Sequence, residues 1–153
     1  MLLLLTLASA SADGMLDAML GRWSAAAGGT PVMEWSRNGD GFTVRWTPPG
    51  HDPVTVGFEP AGRPGVLVGK VDGGWSMFGD GTPNPLEGKP LYWARTTEDA
   101  IYLYSLEIHD RGDFELDRYA TRREGDTLSV TLLRRTAAGM QDPVQQALTK
   151  VDQ

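Results

Sequence analysis

Period-two counting along Phe114 to Thr121 places Arg118 on the face of Phe114, Leu116 and Ala120, away from Glu115, Asp117 and Thr121. A guanidinium on an inward, apolar face requires an anion beside it. The residue types leave three outcomes open: a ligand carboxylate, an internal acid such as Glu34 or Glu107, or a one-residue bulge that returns Arg118 to solvent. If the chain holds a pocket, Arg118 is its expected polar handle. Tyr102 or Tyr104 would stand on the neighbouring strand, with Trp46 and Phe58 among the apolar walls. A cationic handle in an aromatic wall suits a carboxylate-headed apolar ligand, because a desolvated Arg gains bidentate hydrogen bonds while the tail buries apolar area. The five Trp, four Tyr and four Phe could equally be the packed interior of a narrow barrel. Both faces of Ile101 to Ile108 are apolar, so the phase of Tyr102 and Tyr104 stays open.

The remaining chemistry-bearing residues are sparse. His51-Asp52 and His109-Asp110 are the sites of the two histidines, dispersed and without any Cys, which reads as turn residues and predicts no metal. Asp72-Gly73 and Asp80-Gly81 lack the alternating oxygens of a calcium loop, and no Gly-rich run has phosphate-loop spacing. There is no Gly-x-Ser-x-Gly, no His-Glu-x-x-His and no Cys nucleophile, so no catalytic residue and no cofactor is expected. An isomerase or lyase would rest on inward Arg and Glu residues alone. Arg111-Gly112-Asp113 reads as a charged hairpin turn.

Positioning these residues falls to strands. Nineteen Gly and ten Pro in 153 residues break long helices and suit many short strands joined by turns. Phe42, Val44 and Trp46 alternate with Thr43, Arg45 and Thr47 after the Gly39-Asp40-Gly41 turn. Val54 to Glu59 and Val66 to Val71 form the next hairpin, and Leu91 to Thr96, Ile101 to Ile108, Phe114 to Thr121 and Thr127 to Arg135 follow. Trp75 to Phe78 could add a short strand inside the long loop from Asp72 to Pro90. Asp13 to Leu20 reads as a short N-terminal helix, and Asp142 with Pro143 predicts a C-terminal helix to about Val151. The expected fold is all-β: an antiparallel up-and-down barrel of about 8 to 10 strands with short N- and C-terminal helices. The main rival is an open β-sandwich.

Leu2 to Leu7 and the small-x-small pattern of Ala8-Ser9-Ala10 and Ala10-Ser11-Ala12 predict that residues 1–12 are the remnant of a signal peptide. No basic residue precedes the block, and a buried strand is the alternative. Export would place the protein in the periplasm or outside the cell, with residues 13–151 as one domain. The formal net charge of -6 opposes nucleic acid and anionic lipid surfaces, and no membrane span is expected.

A short N-terminal helix, Gly21-Arg22-Trp23 opening the first strand, an up-and-down series of hairpins and a C-terminal helix together resemble the lipocalin and calycin superfamily. That resemblance implies a closed barrel floor at Gly21 and Trp23, with Arg134 or Arg135 stacked over the indole. The expected function is that of an exported binding module, monomeric or weakly associating, that holds a small apolar or amphipathic ligand inside the barrel, a carboxylate-bearing one if Arg118 faces inward. The alternative is a ligand-free structural or interaction domain of the bacterial envelope with a filled barrel.

Overall fold

Alternation of buried and exposed side chains runs through nearly every segment from Gly21 onward, and hairpin geometry converts it into one curved sheet. The computed structural model describes residues 8–26, 29, 32–71 and 84–151. Among the described residues it contains one α-helix, α1 (Ala8–Met19), followed by β1 (Gly21–Ser24), β2 (Met33–Asn38), β3 (Gly41–Trp46), β4 (Val54–Pro60) and β5 (Val66–Val71). After the connection come β6 (Leu91–Thr96), β7 (Ile101–Ile108), β8 (Phe114–Glu124), β9 (Thr127–Thr136), β10 (Gly139–Met140) and β11 (Val144–Lys150). The expected strand at Trp75 to Phe78 lies outside the described residues.

Each strand from β2 to β9 pairs antiparallel with its predecessor, and β11 inserts between β9 and β1. Ten strands therefore close into an up-and-down barrel, while β10 only flanks β9. Closure leaves no open edge, which excludes the sandwich. Two tight hairpins set the register through the same device. Gly39 between β2 and β3 (φ 56°) and Gly125 between β8 and β9 (φ 60°) each take the positive φ that a two-residue hairpin turn demands, each followed by Asp.

Two expectations about the chain ends are revised. The helix α1 begins at Ala8, five residues before Asp13 and within the segment read as a signal remnant. The segment after Asp142 is the strand β11 and not a helix. Asp142 and Pro143 are sound local helix-start signals, but as a strand this segment satisfies the ladders of both β9 and β1. That tertiary gain outweighs a local propensity worth a few tenths of a kcal/mol per residue.

One end of the barrel is sealed. Leu16 and Met19 of α1 are buried, and Trp23 beneath them is fully buried with its indole N–H donated to the Met19 carbonyl at 2.9 Å. Inside the barrel Trp35 packs on Phe42 and Phe42 on Phe58, with ring centroids 5.4 and 5.2 Å apart. Val44, Val56 and Leu103 fill the space around this stack. Gly69 is buried on the inner face of β5, where a Cβ would sit 2.6 Å from Tyr92 Cβ and 2.8 Å from Val56 Cγ1, so the close approach of β4 and β6 side chains requires glycine there. Among the described residues no helix is long and apolar enough to cross a membrane.

Candidate functional site at the open end of the barrel

The end opposite α1 carries a polar layer. The register aligns Tyr92, Ser105, Asp117 and Arg134 across β6, β7, β8 and β9, and Glu107 with Glu115 one inward step closer to the rim. Directly paired residues share a sheet face, so one patch of the inner wall is built from three carboxylates, one guanidinium, one phenol and one hydroxyl. The β3–β4 connection brings a further group from across the mouth. Its Pro48-Pro49-Gly50 turn, closed by His51 N–H to the Pro48 carbonyl at 3.1 Å, projects the His51 ring so that Nε2 lies 3.1 Å from Glu115 Oε1. His109 Nδ1 lies 3.8 Å from Glu107 Oε1.

Arg134 organises this layer. Its Nε and NH2 donate to the two oxygens of Asp117 at 2.7 and 2.8 Å, and NH2 also meets Glu115 Oε1 at 3.1 Å. A bidentate grip on a carboxylate that is only 2% exposed is the arrangement that makes a buried charge tolerable. The Asp117 hydrogen bonds, against the opposing effect of desolvation, push the Arg134 pKa further above its ordinary value, so this cation is permanent. Tyr119 completes the Asp117 shell by donating to Oδ2 at 3.3 Å. Burial foremost, and then the Asp117 charge, push the Tyr119 phenol well above its usual value; burial first, then Glu107 and Asp117, raise that of Tyr92.

Beneath the polar layer Trp46 meets Tyr92 edge-on at 5.9 Å and Tyr119 at 5.7 Å, forming an aromatic floor. Above that floor a cavity of about 310 Å3 opens to solvent, lined by His51, Val54, Tyr92, Ser105, Glu107, Glu115 and Asp117. A separate apolar recess of about 100 Å3, which shares no lining residue with this cavity, is lined by Met33, Trp46, Tyr119, Val130, Leu132 and Val144. The Trp46 indole N–H is buried and lies near the Tyr119 phenol without a well-aligned acceptor among the described residues.

The residues singled out in the sequence divide between the two sides of the wall. Trp46 and Phe58 face inward, Trp46 in the aromatic floor and Phe58 deep in the packed stack. Arg118, Tyr102 and Tyr104 are on the outer wall, so these five do not converge. Tyr104 stacks flat on Trp93 at 4.9 Å, the guanidinium carbons of Arg95 and Arg118 stand 4.7 and 5.6 Å from the Tyr102 ring, and Arg122 donates to the Tyr102 hydroxyl at 3.2 Å. No bulge interrupts β8; the pairing runs unbroken from Phe114 to Glu124. The assignment of Phe114 and Leu116 to the interior fails because the mouth reverses the usual rule: on β8 the inner face is Glu115, Asp117, Tyr119 and Thr121.

At the sealed end Gly21 and Trp23 are where a barrel floor needs them, but the cation over the indole is Arg123, 4.9 Å from the ring centroid, with Lys150 at 5.7 Å. Arg134 belongs to the opposite end and Arg135 is exposed on the outer wall. The site residues that sequence reading did not assemble are His51, Glu115 and Asp117, with Glu107 considered only as a partner for Arg118. The one available signal was the Glu115, Asp117, Tyr119, Thr121 alternation, a strand face that is polar at one end and half apolar at the other. No known family model matches the chain, and comparison with characterised proteins and with solved structures gives no significant match.

Proposed function

We propose that this barrel is a binding module for a small amphipathic molecule held at its open end. The observation that carries the reading is the 310 Å3 cavity lined by inward Glu107, Glu115 and Asp117 above an aromatic floor. Carboxylates turned inward lose hydration, and a barrel built only for stability gains more from apolar side chains at the same positions.

Three carboxylates against one guanidinium favour a cationic or hydrogen-bond-donating head in the mouth, with an apolar portion against Val54 and the Tyr92 ring. This replaces the carboxylate head that an inward Arg118 would have selected. The export expected from residues 1–12 would put such binding in the periplasm or outside the cell. A second reading, a ligand-free envelope domain, draws on the filled aromatic stack of Trp35, Phe42 and Phe58 that occupies the lower barrel.

Tryptophan emission titrated with octylamine and with octanoate in metal-free buffer separates the two. Saturable change with octylamine, at least about tenfold tighter than with octanoate, supports the module. No saturable change with either compound moves the assignment to the filled barrel.

A further inference from the structure

We propose that His51, Glu107 and Glu115 form a binding site for a single divalent transition-metal ion, Zn2+ by donor type, at the rim of the open end. One ligand atom from each of the three side chains lies within 4.8 Å of the other two. A tetrahedral ion with bonds of about 2.0–2.1 Å holds its ligand atoms about 3.4 Å apart, so modest side-chain rotations close the triad. One imidazole with two carboxylates is a borderline-hard set that suits Zn2+ and Co2+ and leaves a coordination position open toward the cavity.

Three independent elements converge here: the β3–β4 connection, β7 and β8. Glu107 and Glu115 are direct cross-strand partners, an arrangement of like charge that is unfavourable until a cation lies between them. The resident guanidinium cannot serve both, since Arg134 is held by both oxygens of Asp117 and reaches only Glu115. That contact instead orients Glu115, and His109 at 3.8 Å from Glu107 Oε1 is placed to orient the second carboxylate, as outer-shell groups do around metal ligands. His51 is an exposed loop residue whose ring has a ligand nitrogen within reach of both carboxylates.

The metal site stands on this triad and does not require the amphipathic ligand. Its test is a Co2+ titration of the full chain, read as visible ligand-field absorption, followed by displacement with Zn2+. One equivalent should bind. His51→Ala and Glu107→Gln should each weaken binding at least about tenfold, while Glu98→Gln, an exposed carboxylate in the β6–β7 turn, should leave it unchanged; circular dichroism verifies that each variant is folded. The absence of saturable Co2+ binding up to about 1 mM, or equal binding by wild type, His51→Ala and Glu107→Gln, overturns the site. Because the octylamine titration is run without metal, failure of either idea is visible separately from the other.

Discussion

Arg134 and Asp117 form a bidentate pair in the barrel wall, two hydrogen bonds of 2.7 and 2.8 Å between a guanidinium 15% exposed and a carboxylate 2% exposed. Removing one partner leaves the other buried and uncompensated. Arg134→Met should therefore lower unfolding stability by about 3–5 kcal/mol in urea titrations, whereas the double variant Arg134→Met with Asp117→Leu should recover most of that loss. If the single and double variants are equally unstable, the pair is not what makes Asp117 tolerable.

Gly69 ties the wall to the aromatic floor. A methyl group there meets Tyr92 Cβ and Val56 Cγ1 inside 3.0 Å, and neither is the free end of a flexible chain. Gly69→Ala should cost about 1–3 kcal/mol by overpacking. The displaced Tyr92 should also register in near-UV circular dichroism through its edge contact with Trp46. An unchanged midpoint would mean that β5 can move outward without penalty.

The strand order and most boundaries were legible because hairpins are local. Leu91 to Thr96 and Ile101 to Ile108 are runs rich in aliphatic and aromatic residues on either side of Thr97, Glu98 and Asp99, and they fold as β6 and β7. The phase of β8 was not legible, since a polar mouth and an outer wall coated by Trp93, Tyr104, Leu106 and Leu116 invert the rule that apolar means inside. Nor was β11, whose start carries the residues of a helix cap and whose pairing depends on β1, far away in sequence. The triad of His51, Glu107 and Glu115 was invisible for a related reason: its members lie on three elements, and only barrel closure brings the β3–β4 connection over β8.

Tyr92 and Tyr119 make the stability of the fold depend on pH at the alkaline end. Both phenols have pKa values raised in the folded state, by burial first and by neighbouring carboxylates second, from an ordinary value of 10.0. Keeping them neutral contributes stability that is fully present below about pH 10 and is lost as pH rises through the folded-state values. Urea midpoints should thus fall above pH 10, and Tyr119→Phe should fall less steeply than wild type over the same range. Parallel curves would show that Tyr119 ionises alike in the folded and unfolded chains.

Arg123 joins the helix to the barrel floor: its guanidinium carbon lies 4.9 Å from the Trp23 ring centroid, and NH1 donates to the Ala18 carbonyl at 2.9 Å. Arg123→Ala should weaken α1 docking by about 1–2 kcal/mol, combining a cation–π contact with a charged hydrogen bond. Amide exchange in α1 should accelerate while exchange in β7 and β8 stays close to wild type. Uniform acceleration across the barrel would instead make the floor part of a single global unfolding unit.

Glu107 and Glu115 occupy equivalent, directly opposed positions, yet their surroundings differ, and the difference predicts opposite responses to neutralisation. Glu115 forms an ion pair with Arg134 at 3.1 Å and contacts His51 at 3.1 Å, while the nearest cationic candidate to Glu107 among the described residues is His109 at 3.8 Å. Replacing Glu107 with Gln removes a like-charge cross-strand pair and breaks no close ion pair, so in metal-free buffer it should raise stability by about 0.2–1 kcal/mol. Glu115→Gln removes the same repulsion but weakens two attractive contacts, and should be neutral or destabilising. Saturating Zn2+ should reverse the ranking, stabilising wild type beyond Glu107→Gln, because a ligand that binds only the folded chain adds stability in proportion to the logarithm of its concentration over its dissociation constant. Thermal unfolding of the three proteins with and without Zn2+ measures all of this in one experiment. If Glu107→Gln is less stable than wild type without metal, the two carboxylates do not repel across the mouth, and the electrostatic case for a cation between them is lost.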